Sequence, residues 1–331
     1  MKIIIPLAGL GTRLRPQTYT RPKPLVSLAG KPLLGHILER LSPLPIEEVI
    51  FITGYLGEQI EEYVTSTWDF PARFVVQQEQ LGQAHAIQLA RDQLHGPTFV
   101  VFADTIFETD ITRITQVKSD GLLYVREVED PRSYGVAVMD GEYIARLVEK
   151  SSEPESNLAV VGLYYFSEGE RLAEAVDELL ASGRQTGGEY YLADAIQIMI
   201  DRGAKIEVEG IDVWLDCGRP STLLDTNRHL LGRIQGNDAK HTRINTTIVP
   251  PVYIGKGAQL TNSVVGPNVS VGAGVEVSGS LISESILGES CRIVNSALVG
   301  SIIGHGATVY SSLNRLNVGD TSSVNLGAPE K

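Results

Sequence analysis

Met1-Lys2-Ile3-Ile4-Ile5-Pro6-Leu7-Ala8-Gly9-Leu10-Gly11-Thr12-Arg13-Leu14-Arg15-Pro16 is an aliphatic run that breaks into Gly-x-Gly and then turns basic. A run of strand length followed at once by glycines places that turn at the carboxyl end of a first strand, where open α/β sheets bind ligands. Gly9 and Gly11 carry no Cβ, so backbone N–H groups can close around phosphate oxygens. Arg13 adds a planar fork suited to bidentate phosphate contact, and Lys23, in Thr20-Arg21-Pro22-Lys23-Pro24-Leu25, adds a mobile point charge. The stretch is neither G-x-x-x-x-G-K-[ST] nor G-x-G-x-x-G. A Gly-x-Gly alone is usually an ordinary turn; here its electrostatic setting strengthens it.

That setting emerges from the charge distribution. The 331 residues hold 28 Lys+Arg and 40 Asp+Glu, a net charge of −12. Residues 1–38 contain no acid but six cations (Lys2, Arg13, Arg15, Arg21, Lys23, Lys31), which leaves the remainder at −18. The acidic total argues against generic binding to nucleic acid or anionic membrane, while a basic island reads as a local anion site. Cys217 and Cys291 form no disulfide framework, and their spacing suits no zinc site. The N-terminal apolar run is too short for a signal peptide, and no window approaches the ~18 apolar residues of a membrane span. A soluble cytoplasmic protein is expected.

Outward from the first strand, short aliphatic runs (Glu48–Thr53, Arg73–Gln77, Thr98–Phe102) alternate with segments of helical periodicity (Leu33–Leu41, Gly57–Thr67, Gly82–Leu94). Strands then fit Leu122–Val128, Val136–Met139, Tyr143–Val148 and Leu158–Phe166, and helices fit Glu170–Ala181, Tyr191–Arg202 and Ser221–Gln235. The alternation predicts a mainly parallel sheet wrapped by helices. Two carboxylates end strand-like runs, Asp104 after Val100-Val101-Phe102-Ala103 and Asp216 after Leu215. Either alone is more often a cap or a solvated turn. Two aspartates at adjacent strand ends would suit Mg²⁺, which binds through one or two carboxylates and substrate phosphates.

Composition changes near Gly236-Asn237-Asp238. Between 245 and 327 only seven of 83 residues are charged, and Gly and Ser supply 25. A flexible linker of that composition has no aliphatic register. This stretch has three: Ile248, Val265, Ile282, Leu298; then Ile254, Val271, Leu287, Ile303; then Leu260, Val277, Ile293, Val309. Spacing is 16 or 17 within a column and five or six between columns, with Ala258, Val269, Val275, Cys291 and Ala307 recurring four places on. Hexapeptide turns of this kind build a parallel β-helix, here of about four coils. The expected domains are 1–236 and 245–327. So short a prism needs cover, from the first domain or another subunit, and the second case would make the protein a homo-oligomer.

Gly-Leu-Gly-Thr-Arg-Leu-Arg-Pro with Arg-Pro-Lys-Pro-Leu downstream resembles the sugar-1-phosphate nucleotidyltransferases, most closely the glucose-1-phosphate thymidylyltransferase and uridylyltransferase branch, and the tail resembles that of its long-chain members. The resemblance covers nearly the whole chain. It implies a Rossmann-like mixed sheet followed by a short left-handed β-helix. It further implies formation of a nucleotide-sugar and pyrophosphate from dTTP or UTP and a sugar 1-phosphate, with Mg²⁺. By resemblance the nucleotide site comprises Leu7, Ala8, Gly9, Gly11, Thr12, Arg13, Gln77, Gln80 and Gly82. Gln77 reads the base with an amide that offers both donor and acceptor, and Gly82 lets the backbone approach it. The sugar-phosphate site comprises Gly135, Glu149, Lys150, Gly162 and Tyr164. Glu149 would accept from sugar hydroxyls, Lys150 would hold phosphate, and Gly135 and Gly162 would leave room for the ring. The catalytic set is Arg13, Lys23, Asp104 and Asp216, the two aspartates holding the metal.

The chain departs from the family pattern at Gln83 (often Thr), at Ala103 (usually Gly) and at Gly187-Gly188, where relatives often carry a basic residue. Two other classes stay open at this level. Many hexapeptide-repeat proteins are acyltransferases, and His305 is the only His in the repeat tract. A non-catalytic regulatory paralogue is the other.

Overall fold

The computed structural model describes residues 1–150, 152–234 and 241–311. The expected helix end at Gln235, the boundary at 236–238 and the part of the 245–327 domain beyond residue 311 lie outside them. The chain divides into two units, Met1–Arg233 and Ile234–Lys331.

In the first unit β1 (Lys2–Pro6) is followed by a short ribbon, β2 (Ser27–Leu28) and β3 (Lys31–Pro32), and by α1 (Leu33–Leu41). Next come β4 (Glu48–Thr53), α2 (Gly57–Thr67), β5 (Ala72–Val76), α3 (Gln83–Gln88), β6 (Thr98–Val101) and β7 (Thr105–Glu108). The second half contains β8 (Gly121–Glu127), β9 (Gly135–Asp140), β10 (Tyr143–Glu149) and β11 (Leu158–Phe166). It closes with α4 (Gly169–Ser182), α5 (Leu192–Asp201), β12 (Ile206–Gly210), β13 (Val213–Asp216) and α6 (Pro220–Leu231).

The main sheet has the order β10-β9-β11-β6-β1-β4-β5, with β8 and β12 branching beside β11. Ile3, Ile4 and Ile5 are all fully buried because β1 lies between parallel neighbours with both faces covered, which accounts for an uninterrupted aliphatic run. The sheet is mixed. It is parallel around β1 and antiparallel where β11 pairs with β6 and β8. A tight turn with Gly141 at φ +63° joins β9 to β10 antiparallel, as short connections require.

Two expectations need correction. The helix read over Gly82–Leu94 stops at Gln88 and resumes only as a 3₁₀ turn, Arg91–Gln93, where Arg91 Nε reaches Asp177 of α4 at 2.5 Å. Asp104 does not end a strand of the main sheet; it lies in the turn after β6, which stops at Val101. It also precedes β7, which pairs antiparallel with β13 in a separate ribbon and sets Thr105 opposite Asp216. That ribbon brings together two aspartates more than 100 residues apart in sequence.

Among the described residues the second unit has three parallel sheets of five, four and four strands, the arrangement of a left-handed β-helix. Its core holds Ile254, Leu260, Val265, Val271, Val277, Ile282, Leu287 and Ile293, and Ile248, Leu298, Ile303 and Val309 pack against them. All three aliphatic columns therefore point inward. Ala258, Val269, Val275 and Cys291 are fully buried. Burial pushes the Cys291 thiol up to about 11, so it stays protonated and inert.

Candidate active site

Beyond the carboxyl ends of β1, β5 and β6 lie two cavities, of about 350 and 470 Å³, that share Arg13, Gln83, Phe102 and Asp104 in their walls. The smaller is lined by the loop after β1, including Leu7, Ala8, Gly9, Gly11 and Thr12, and by Lys23, Gln77, Gln80 and Gly82. The larger is lined by Gly135, Glu149, Lys150, Gly162, Tyr164 and Asp216. Every residue expected at the site thus borders one cavity or both. Among the described residues, no backbone hydrogen bond outside the regular elements uses the N–H of Gly9, Leu10, Gly11, Thr12 or Arg13 as donor. Five successive N–H groups are thus left available to an anionic ligand.

The glycines serve different ends. A Cβ on Gly9 would meet nothing within 4 Å. Gly11 has φ +61°, and a Cβ there would lie 3.1 Å from Lys23 Cβ, so the glycine lets the lysine stem pass. Gly82 borders the smaller cavity, and the Tyr190 backbone packs against it, with O and N that would lie 2.6 and 2.7 Å from an added Cβ. At Gly135 a Cβ would sit 2.7 Å from Glu149 Oε2, and at Gly162 (φ +85°) 3.1 Å from Phe102 Cβ. Both make room for neighbouring side chains that form the wall.

Lys23 Nζ lies 3.7 Å from Asp104 Oδ2. The Cys217 N–H donates to Asp104 O at 2.9 Å, which ties the Asp104 backbone to the segment after β13. Asp216 Oδ1 accepts from the Gly218 N–H at 2.8 Å and Oδ2 from the Thr222 hydroxyl at 3.1 Å, so its carboxylate is oriented by both. A Cβ on Gly218 would lie 3.4 Å from an Arg13 guanidinium nitrogen, which brings that cation near Asp216. Two hard oxygen donors, one of them 52% exposed, fit a divalent cation that completes its shell with phosphate and water. Among the described residues no cluster of three or more His, Cys, Asp or Glu side chains is placed to hold a metal.

In the larger cavity burial raises the Glu149 carboxyl above its ordinary range, with Lys150 at 3.5 Å opposing the shift. Burial works against the Lys150 charge, but the Tyr191 hydroxyl at 3.1 Å and Glu149 outweigh it and hold that ammonium above its usual range. Tyr164 is driven up strongly by burial and stays neutral. Gln80 Nε2 donates to Ala8 O at 2.8 Å, strapping the glycine loop to the loop after β5.

Sequence reasoning missed Arg219 and Thr222 and gave no role to Tyr134 or Trp214; all four line the larger cavity. Arg219 was within reach, since it directly follows Asp216-Cys217-Gly218; Tyr134 and Trp214 meet edge to face at 4.9 Å only through the tertiary fold. His305 sits in the prism with a 59% exposed side chain, 3.9 Å from Glu289.

The nucleotidyl transferase family profile matches residues 2–233. The chain belongs to the nucleotidyl transferase family, in its sugar-1-phosphate branch. It is 33% identical to a glucose-1-phosphate thymidylyltransferase of Streptomyces antibioticus over 98% of this chain and 99% of that one. It is 35% identical to the bifunctional protein GlmU of Methanocaldococcus jannaschii over 78% of this chain and 61% of that protein. A solved structure described as a Bacillus anthracis glucose-1-phosphate thymidylyltransferase, in complex with a sucrose, superposes with a TM-score of 0.61 at 26% identity. That match covers 71% of this chain and 97% of the other. For this nucleotidyltransferase, no helix among the described residues is long and apolar enough to cross a membrane.

Proposed function

We propose that this enzyme joins a nucleotidyl group from dTTP or UTP to glucose 1-phosphate and releases pyrophosphate, with Mg²⁺, in the cytoplasm and as a homo-oligomer. We assign catalysis to residues 1–236 and the β-helix to 245–327. The observation that carries this reading is the meeting of the two cavities at Arg13 and Asp104, with Asp216 beside them. A triphosphate in the smaller cavity and a sugar phosphate in the larger would face each other there.

The chemistry asks for positioning and charge neutralisation more than for covalent help. A phosphate oxygen of the sugar phosphate attacks the α-phosphorus; a new P–O bond forms as the α–β bridging bond breaks, and pyrophosphate leaves with the electron pair. The nucleophile is already ionised, so no general base is needed. The unused N–H groups of Gly9–Arg13 and the Arg13 fork bind the β- and γ-phosphates and then the leaving pyrophosphate. Lys23 and Lys150 screen repulsion between the two anions. Glu149 accepts from sugar hydroxyls beside Tyr164. Mg²⁺, when held by Asp104 and Asp216, would supply further positive charge to the phosphates.

The test mixes the purified protein, Mg²⁺, each nucleoside triphosphate in turn and glucose 1-phosphate, and scores pyrophosphate. Release with dTTP or UTP is expected. No release with any nucleotide across a panel of sugar 1-phosphates would overturn the assignment.

A further inference from the structure

Gln77, just past β5, is 6% exposed, and its amide nitrogen has two neighbours. Nε2 lies 3.3 Å from Gly82 O and 3.0 Å from Nδ1 of His85, in the first turns of α3. A carbonyl oxygen can only accept, so the atom facing Gly82 must be the NH₂ nitrogen rather than the amide oxygen. With the NH₂ oriented that way, His85 Nδ1 must accept its other hydrogen, which puts the imidazole proton on Nε2. Both amide hydrogens are then spent inside the loop. Among the described residues no hydrogen bond uses Gln77 Oε1, and Gln77 borders the smaller cavity. The amide, expected from its chemistry to offer a donor and an acceptor, has only an acceptor to offer.

We infer that His85 is a positioning residue for base selection, locking Gln77 so that it presents Oε1 alone to the nucleotide. This rests on the base-reading role of Gln77 proposed above. An acceptor at that point pairs with the N3–H of a uracil or thymine imide. Cytosine carries a lone pair at the same ring atom, so Oε1 would face another acceptor with nothing to share. His85 does not touch the base; it removes the amide's freedom to turn and greet the wrong one.

Two non-accepting variants test this: His85→Leu, and His85→Phe, which keeps ring volume. Either frees one amide hydrogen and leaves only the long bond to Gly82 to hold the orientation. The kcat/KM ratio of UTP or dTTP over CTP is expected to fall about tenfold, because a buried mismatch is rejected only while its partner cannot adapt. His85→Asn places Oδ1 near the former Nδ1 position and should restore the ratio. If Leu and Phe lower turnover of all three nucleotides by one common factor, or Asn restores no selectivity, His85 is a packing residue and the inference is wrong. Direct binding of UTP, dTTP and CTP to the unmodified protein separates the two levels. Binding and turnover with an unmoved ratio overturn only the role of His85, whereas binding of none of the three overturns the nucleotide site itself.

Discussion

Replacing Gly82 and Gly9 in turn by alanine should separate folding from function within one cavity wall. Gly82 sits at φ +108° and ψ −177°, a region essentially closed to other residues, at a cost of roughly 1–3 kcal/mol. The new Cβ would also lie 2.6 and 2.7 Å from Tyr190 O and N, where the neighbours are backbone and cannot swing aside. Those same atoms bond Ala84 N–H at 2.9 Å and Leu81 O at 2.8 Å, so relief by movement breaks the seam between the two segments. Overpacking of this kind adds about 1–3 kcal/mol, which brings the total to about 4 kcal/mol. For a domain of this size each kcal/mol lowers Tm by roughly 2–4 °C, so Gly82→Ala should melt about 8–16 °C below the unmodified protein. Gly9→Ala meets nothing within 4 Å and has no left-handed φ, so its Tm should stay within about 2 °C. Its methyl enters the space assigned to phosphate, and kcat/KM for the nucleotide should drop about tenfold. Scanning calorimetry without ligand and pyrophosphate release at subsaturating nucleotide read the two effects. A Gly82→Ala protein that melts with the unmodified one, or a Gly9→Ala protein with full turnover, would refute the steric reasoning.

Asp216→Asn keeps an acceptor for the Gly218 N–H but removes a charge, and kcat/KM should fall by about 100-fold or more; unchanged turnover at saturating Mg²⁺ would remove Asp216 from the metal site. Glu149 has a raised folded-state pKa, so burial of its ionised form costs stability above the ordinary carboxylate range near ~4.3, and that cost fades as the group protonates. Glu149→Gln should therefore raise Tm at pH 7, lose that gain toward pH 4 and raise the KM for glucose 1-phosphate about tenfold, since a charged acceptor is lost. A Tm difference independent of pH would show that the carboxylate is not the destabilising group. Arg219→Ala should weaken glucose 1-phosphate saturation about tenfold with Tm unchanged, read from initial rates; normal saturation would exclude Arg219 from the site.

The elements legible in the sequence were those with one dominant physical signal. Leu33–Leu41, Gly57–Thr67 and Glu48–Thr53 have the bounds that periodicity gave them, and the prism columns point inward because a 16- or 17-residue repeat leaves few other ways to bury them. The β7–β13 ribbon was not legible, since Thr105–Glu108 is four residues with no period of its own and is strand only because Val213–Asp216 lies alongside. The same holds within the site. Gly9 and Arg13 announce an anion loop locally, whereas the reasons for glycine at 82, 135 and 162 lie in Tyr190, Glu149 and Phe102, each distant in sequence or turned inward by the fold.

The charge split resolves further once the walls are known. Of the six cations in residues 1–38, only Arg13 and Lys23 border the cavities. Lys31 is taken up by Glu39 at 2.5 Å, and Arg15 stacks over Tyr19 at 4.9 Å. Lys150 and Arg219 complete the cationic set from the acidic remainder of the chain, and Asp104, Glu149, Glu189 and Asp216 face them. Four cations against four carboxylates leave the walls without net charge. A triphosphate and a sugar phosphate entering together would bring several negative charges into a partly enclosed space, where like charges repel strongly. On that count the basic opening segment would hold and orient the anions without neutralising them. Neutralisation calls for an added cation, and two of the carboxylates that cancel the site's own positive charge, Asp104 and Asp216, are the groups that would bind it.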